Sequence, residues 1–226
     1  MPTEEGARDD RRHHKKLVRR RVLERRDRLS TEQQERLSAS IRERFVALPE
    51  VLAANTVMCF VSFRSEVLTG PIIRWCLAQG KAVVVPRVMA PRHMEAFALT
   101  DLEKDLSPGS FGIPEPREGL ERVPPRRIDV VIVPGSVFDL SGDRLGYGGG
   151  FYDSFLPRLR RGVPRVAIAF ELQVLDDVPE EHHDLPMDLL VTETGVRRFQ
   201  HGPGEWQQRF GTAETAKPGA ARDGTG

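Results

Sequence analysis

The segment 144-RLGYGGGFYDSFL-156 places four glycines among five consecutive positions, between an arginine and an aspartate. Glycine permits positive φ and lets a ligand approach backbone N–H groups without interference from a Cβ atom. Backbone N–H groups at the start of a helix, together with Arg144, favour an anion such as phosphate. Tyr147, Tyr152 and Asp153 also need partners, which favours a binding loop over the alternative of an ordinary flexible loop.

A second concentration of charge lies near the N-terminus. Residues 11–28 contain ten Lys or Arg against two acidic residues, a local net charge of +8 in a chain of net charge +1. Lys15 and Arg19 are four residues apart, so they would share one face of a helix. Such a helix can bind polyphosphate or nucleic acid, or it can be a solvated surface. With only two Trp and two Tyr in the chain, nucleic acid is the less favoured partner.

Short apolar runs separated by helical patterns must position these residues. The runs cover 56–61, 81–88, 94–99, 129–134, 164–170 and 188–192. Because they are nearly continuous in apolar residues, they predict strands buried on both faces of a mainly parallel sheet. Helices are expected over 69–79 and 148–160, and Ser30 with Gln33 forms a capping box for an earlier helix. We therefore predict an α/β fold, a single three-layer α/β/α domain with a basic N-terminal helix.

The expected domain covers residues 11–200. Residues 1–10 and 201–226 are predicted to be disordered, and the proline-rich stretch 105–127 to be a long ordered loop. No apolar run approaches the roughly 18 residues that span a membrane, and the polar N-terminus lacks the apolar segment of a signal peptide. We therefore expect a cytoplasmic protein in which Cys59 and Cys76 are reduced packing thiols.

The run RLGYGGGFYD closely resembles the signature of the 5-formyltetrahydrofolate cyclo-ligases, also called 5,10-methenyltetrahydrofolate synthetases. The resemblance covers about residues 15–195 and keeps the order of the family's sequence blocks. The further matches are Lys15 and Arg19 as K-x-x-x-R, SFRSEVLT at 62–69, GIPEP at 112–116, VPGSVFD at 133–139, FELQ at 170–173 and HDLPMD at 183–188. The chain departs from the family at Leu68, where Asp is usual, and at Ser154, where bacterial members often have Arg.

The resemblance implies an ATP- and Mg²⁺-dependent cyclisation of 5-formyltetrahydrofolate to 5,10-methenyltetrahydrofolate, with release of ADP and phosphate. An N-formyl oxygen is a poor leaving group, and transfer of a phosphoryl group to it would let N10 displace it. The protein must therefore position the reactants and neutralise charge. We expect a monomeric ligase that forms a C–N bond in a reduced folate, with no membrane or nucleic-acid partner. Because of Leu68, a diverged member that acts on another N-acyl substrate, or that binds folate or nucleotide without turnover, stays open.

The resemblance also assigns residues to each ligand. The ATP-binding set is Lys15, Arg19, Arg144, Gly146, Tyr147, Gly148, Gly149, Gly150, Phe151 and Tyr152, of which Lys15 and Arg144 are also the catalytic candidates. The folate-binding set is Val61, Glu66, Gly148, Gly149, Gly150 and Phe151, and the Mg²⁺ ligands are Asp153 and Asp184. The plainer alternatives are a first-turn helix acid for Asp153, an exposed loop acid for Glu66 and a core residue for Val61. His182 and His183 are not expected to form a transition-metal site.

Overall fold

The computed structural model describes residues 4–109, 112–178 and 185–199. Its helices are α1 (Glu4–Arg26), α2 (Thr31–Val46), α3 (Pro49–Ala53), α4 (Gly70–Ala78) and α5 (Phe151–Phe155). Its strands are β1 (Thr56–Met58), β2 (Ala82–Ala90), β3 (His93–Leu99), β4 (Leu106–Pro108), β5 (Pro114–Pro116), β6 (Arg122–Val123), β7 (Val130–Val133), β8 (Val137–Asp139), β9 (Arg144–Leu145), β10 (Arg165–Ile168), β11 (Val174–Leu175), β12 (Leu189–Val191) and β13 (Val196–Arg198). Turns of 3₁₀ helix lie at Pro125–Arg127, Leu156–Arg158 and Glu171–Gln173.

The main sheet confirms the predicted α/β class with a mainly parallel sheet. Its strand order is β13-β12-β10-β7-β1-β2-β3-β6. The five strands from β12 to β2 pair in parallel, and β13, β3 and β6 add antiparallel pairs at the two edges. Each of the six predicted strand segments overlaps one of these strands.

Alternate residues of the parallel strands feed two separate cores. Val130 and Ile132 of β7 lie in the core under α2, α3 and α4. Val131 and Val133 of the same strand lie in the core on the opposite face, with Phe155 of α5. Both faces of the sheet are therefore covered, which is why its strands read as continuous apolar runs rather than as alternating ones.

Helix α1 packs apart from both cores. Its Val22 lies in a third apolar cluster with Val137, Leu145 and Val178, against the small sheet β11-β8-β9. The helix begins at Glu4 and so includes residues 4–10, for which the sequence predicted disorder. The predicted disordered tail 201–226 lies outside the described residues. In the described part of the chain, no helix is long and apolar enough to cross a membrane.

Two predicted segments differ from the structure. The helix expected over 148–160 is only five residues long, because Pro157 has no N–H group with which to continue it. A 3₁₀ turn follows instead. The stretch 105–127, predicted to be one long loop, contains the pair β4–β5 and the edge strand β6. Proline is tolerated at such edges because it need not donate a hydrogen bond there.

The Glu171 carboxylate fastens the turn after β10 to the end of the sheet. Arg197 donates to it at 2.5 and 3.0 Å, and the hydroxyls of Thr192 and Thr194 donate at 2.6 and 2.7 Å. Chiefly because of Arg197, the pKa of Glu171 falls from 4.5 to about 2. A carboxyl with a lowered pKa contributes stability that is complete above its ordinary pKa and is lost as the pH falls through the folded-state value.

We expect Glu171→Gln to lower the free energy of unfolding by about 1–2 kcal/mol at pH 7, because charge-assisted hydrogen bonds are replaced by neutral ones at a half-exposed site. Urea unfolding at pH 7 and at acidic pH measures this. The difference between variant and wild type should shrink as the pH falls from 4.5 toward 2. Glu118→Gln is the control, since Glu118 is 93% exposed and 3.6 Å from Arg87. Equal losses in the two variants would contradict the prediction.

Candidate active site

The glycine-rich loop 146–150 connects β9 to α5. Gly148 and Gly150 have φ values of 96° and 66°, which favour glycine. A Cβ atom on Gly149 would lie 2.5 Å from the ring of Phe151, and one on Gly146 would lie 2.7 Å from a guanidinium nitrogen of Arg144. A side chain would thus collide with a neighbour at positions 146 and 149, and the positive φ angles at positions 148 and 150 favour glycine. Because α5 has only five residues, positive charge at this loop comes from arginines rather than from a long helix dipole.

Arg144 lies beneath the loop and is 5% exposed. It donates to the backbone oxygen of Pro134 at 3.1 Å and to the carboxylate of Asp153 at 2.5 Å. Its Nε has no hydrogen-bond partner within the described residues. A buried guanidinium with a spare donor, fixed at two other positions, is suited to binding an anion.

The face of α1 that points into the protein contacts the glycine-rich loop from another side. Arg19 donates from Nε to the backbone oxygen of Gly146 at 2.8 Å. Lys15, one turn earlier, is 8% exposed, and Arg26, two turns later, is 5% exposed. Three cations of the basic segment therefore face inward, and the structure brings Arg19 to the glycine loop as the sequence expected.

Arg92 is a cation near the loop that sequence analysis did not identify. It lies in the turn between β2 and β3 with a φ of 58°. Its Nε and Nη2 are 2.9 and 3.3 Å from the position that a Cβ atom on Gly150 would occupy. Arg19, Arg92 and Arg144 thus approach the loop from three different elements, which gives it a concentrated positive charge.

Glu66 lies on the segment after β1 and is half-buried. Its carboxylate accepts a hydrogen bond from the backbone N–H of Phe63 at 2.8 Å. Gln34 of α2 donates to the backbone oxygen of Glu66 at 2.7 Å, which fixes the segment. Burial raises the pKa of Glu66, an effect that Tyr147 and Arg26 partly oppose. Hydrogen bonds therefore fix the position of the Glu66 carboxylate, and the residue is not a freely solvated loop acid.

Aromatic and apolar side chains form the wall between these groups. Phe151 packs against the core on the α5 face, directly under Gly149. Tyr152 is 9% exposed, and within the described residues its hydroxyl has no partner. Burial raises the pKa of Tyr152, so its phenol stays neutral and can donate. Val61, half-buried, follows the end of β1 by three residues and packs against the other core.

Asp153, in the first turn of α5, keeps 22% of its side chain exposed. One carboxylate oxygen accepts from Arg144, and the other has no hydrogen-bond partner within the described residues. The second predicted metal ligand, Asp184, and both His182 and His183 lie outside the described residues. Ser154, a departure from the family pattern, donates to the backbone oxygen of Gly150 at 3.0 Å and so braces the loop.

Leu68, the other departure, is half-buried and donates its backbone N–H to the hydroxyl of Ser38 at 3.0 Å.

Sequence reasoning located several parts of this site, and the structure gathers them at one end of the sheet: the glycine loop, Arg19, Arg144, Glu66 and Asp153. It missed Arg26 and Arg92. Arg26 was hidden among nine other cations of the basic segment, and a single arginine in a hairpin turn gives no signal.

Comparison with known proteins points to one family. The model of the 5-formyltetrahydrofolate cyclo-ligase family matches residues 11–193. The chain is 33% identical over 179 residues to the 5-formyltetrahydrofolate cyclo-ligase of Escherichia coli (strain K12), covering 77% of this chain and 98% of that one. It is 31% identical over 175 residues to the mouse (Mus musculus) protein of the same name, covering 73% and 86%. The solution structure of Aquifex aeolicus 5,10-methenyltetrahydrofolate synthetase is similar, with a TM-score of 0.74 and 36% identity over 83% of this chain and 94% of that one.

Proposed function

This chain belongs to the 5-formyltetrahydrofolate cyclo-ligase family, and from that we propose that it uses ATP and Mg²⁺ to convert 5-formyltetrahydrofolate into 5,10-methenyltetrahydrofolate, releasing ADP and phosphate. The observation that carries this proposal is the position of the glycine loop. Through Arg144 and Arg19 the loop has a strongly cationic side, and Arg26 joins it to the Glu66 segment by donating both to the Tyr147 hydroxyl and to Ser65. A polyphosphate and a molecule with several N–H donors could therefore meet across a few residues.

The loop fits a nucleotide by shape and by charge. Gly148 and Gly149 are exposed, and the nearest atom to a Cβ on Gly148 would be a guanidinium nitrogen of Arg19 at 3.9 Å, so phosphate oxygens could approach the backbone N–H groups of the loop beside a cation. ATP would supply the phosphoryl group that makes the formyl oxygen a good leaving group. Arg144, Lys15 and Arg19 would orient the triphosphate and neutralise the charge that develops on it. Phe151 and Tyr152 offer flat surfaces for the pterin or the adenine ring.

Asp153 fits a magnesium ion that is held mainly by phosphate. Mg²⁺ in nucleotide sites takes one or two carboxylates together with phosphate oxygens and water. Asp153 has one carboxylate oxygen fixed by Arg144 and the other unengaged within the described residues. We propose that Asp153 holds the ion, with Asp184 as its partner carboxylate.

Glu66 and Val61 are the proposed folate contacts. The pterin ring presents several N–H donors along one edge, and an ionised carboxylate can accept two of them. The fixed position of Glu66, held by Phe63 and Gln34, would orient the ring so that its formyl group faces the glycine loop. Val61 would provide an apolar wall. We further propose a cytoplasmic monomer with no nucleic-acid partner, because part of the basic segment is turned toward this site.

The proposed reaction has a direct test. Purified protein is mixed with 5-formyltetrahydrofolate, ATP and Mg²⁺, and the near-ultraviolet absorbance of the methenyl product is followed. We expect a rise that depends on both ATP and the protein. ATP binding without any rise in absorbance would reject the proposed reaction. It would then direct the search to another N-acyl substrate, with the surroundings of Leu68 examined first.

We expect Arg92→Ala to raise the KM for ATP about three- to tenfold while leaving kcat within a factor of two, because an exposed cation beside the loop contributes about 1 kcal/mol. Initial rates at varied ATP measure this, and added salt should shrink the effect. Arg87→Ala is the control from the same hairpin, since Arg87 faces Glu118 instead. An equal change in both variants would indicate a general effect of hairpin charge.

A further inference from the structure

Arg26, the last residue of α1, joins two parts of the site that are distant in sequence. Its guanidinium donates from Nε to the Ser65 hydroxyl at 3.0 Å and from Nη1 to the Tyr147 hydroxyl at 2.7 Å. Tyr147 belongs to the glycine loop, and Ser65 belongs to the Glu66 segment, which covers residues 62–69. One side chain thus contacts both the loop proposed for ATP and the segment proposed for the folate.

The surroundings of Arg26 distinguish it from the solvated cations of the basic segment. Only 5% of Arg26 is exposed, whereas its neighbour Arg25 is an exposed residue. The guanidinium carbon of Arg26 also lies 5.8 Å from the centre of the Tyr147 ring, within the range of a cation–π contact. The Ser65 hydroxyl that accepts from Arg26 donates in turn to the carboxylate of Asp27. Arg26 is therefore held in one orientation by contacts on both sides.

The two groups that Arg26 joins are also fixed by other residues. Arg19 donates to the backbone oxygen of Gly146 at 2.8 Å, so α1 contacts the glycine loop at a second point. Gln34 of α2 donates to the backbone oxygen of Glu66 at 2.7 Å and so fixes the Glu66 segment. Because the loop and the segment are each anchored, the bonds of Arg26 determine how the two lie relative to each other.

We propose that Arg26 is a positioning residue that sets the distance between the ATP and the folate, acting through the loop and the segment. This inference rests on the proposed function, because it concerns how the two substrates named there meet. Phosphoryl transfer requires the formyl oxygen to lie close to the γ-phosphoryl group and in line with it. A displacement of about 1 Å between reacting groups can cost about a hundredfold in rate. Loss of the link should therefore slow the chemical step more than it weakens the binding of either substrate.

Arg26→Lys tests the proposal because it keeps the charge but replaces the planar guanidinium by a single ammonium group on a flexible stem. We expect kcat to fall at least about tenfold. The dissociation constants of a non-hydrolysable ATP analogue and of 5-formyltetrahydrofolate, each measured alone by calorimetry, should stay within about a factor of two. Arg25→Lys is the matched control and should keep the wild-type kcat. A wild-type kcat in Arg26→Lys would overturn the proposal, and so would a loss that lies wholly in one dissociation constant.

Ser65→Ala removes one end of the link and leaves Arg26 in place. We expect it to lower kcat about two- to fivefold on its own, and to have no further effect in the Arg26→Lys background, because residues that act through one interaction are not additive. If Arg26→Lys does not fold, Ser65→Ala combined with Tyr147→Phe gives the same comparison, since a link broken at one end is not weakened further at the other. Losses of kcat that multiply in the double variant would overturn the proposal.

A measurement without ligands separates this inference from the proposed function. The chain has two tyrosines, Tyr147 and Tyr152, so labelling with 3-fluorotyrosine gives two ¹⁹F NMR signals, which Tyr147→Phe assigns. Ser65→Ala should shift or broaden the Tyr147 signal and leave the Tyr152 signal in place, because the change reaches Tyr147 through Arg26. An unmoved Tyr147 signal overturns the inference. A moved signal in a protein that does not convert 5-formyltetrahydrofolate would support the link and reject the proposed function.

Discussion

Replacing Asp153 by Asn is expected to lower Mg²⁺- and ATP-dependent turnover at least about a hundredfold, since a metal ion at a transferring phosphoryl group contributes several kcal/mol to the transition state. The amide can still accept a hydrogen bond from Arg144, but it binds Mg²⁺ poorly because it has no charge. Steady-state rates at varied Mg²⁺ measure the loss. A second measurement does not depend on activity: Mg²⁺ should raise the ATP affinity of the wild type in calorimetry and should not raise that of the variant.

The comparison with Asp153→Ala separates the effect of losing a metal ligand from the effect of losing the ion pair with Arg144. Alanine leaves the buried Arg144 without its carboxylate partner, so this variant should also lose about 1–3 kcal/mol of unfolding free energy. Asp153→Asn should lose much less stability. Asp176→Asn, a change at an exposed aspartate, is the control for charge. If Asp153→Asn retained wild-type turnover and the Mg²⁺ effect on ATP binding, Asp153 would not be a metal ligand.

Glu66→Gln is expected to raise the KM for 5-formyltetrahydrofolate about a hundredfold, because the loss of two charge-assisted hydrogen bonds amounts to roughly 3 kcal/mol. The KM for ATP should change by less than a factor of two. Initial rates with each substrate varied in turn give both values. Glu35→Gln is the control, since Glu35 is exposed on α2. Equal increases in the two KM values would remove Glu66 from the folate site.

The thermal stability of Glu66→Gln distinguishes binding from folding. Because the folded state raises the pKa of Glu66, the stability that this group contributes is present below the ordinary pKa and is lost as the pH rises through the raised value. At neutral pH the wild type therefore carries an unfavourable buried charge that glutamine lacks. We expect a melting temperature equal to or above that of the wild type, so weaker folate binding could not be attributed to unfolding.

The sequence was most informative where local pattern and physical need coincide. The continuous apolar runs predicted the strands of the parallel sheet, since strands buried on both faces cannot alternate. Ser30 and Gln33 predicted the start of α2, where both capping hydrogen bonds are present. The spacing of the glycines predicted an open backbone at 146–150, and the positive φ angles of Gly148 and Gly150 agree with it. Each of these features is determined by residues within a few positions of one another.

The remaining features depend on contacts across long stretches of sequence. The bond between Arg26 and Tyr147 joins residues 121 positions apart, and Arg92 approaches Gly150 from the turn between β2 and β3. Helix α5 ends early for a local reason, Pro157. The helix predicted over 148–160 wrongly continued past this proline. Pairings of distant residues follow only from the packing of the whole domain, which is why sequence analysis found the loop but not all of its partners.

The strand order of the main sheet has a consequence for where chemistry can occur. From β1 the chain passes through α4 on one face to β2, and from the adjacent β7 it passes through α5 on the other face to β10. Where two neighbouring parallel strands send their connections in opposite directions, a crevice opens at their carboxyl ends, and open α/β sheets bind ligands there. Glu66 follows β1 and the glycine loop follows β7, so they border this crevice. Its location is thus a property of chain connectivity, and substitutions at its rim can change specificity without moving it.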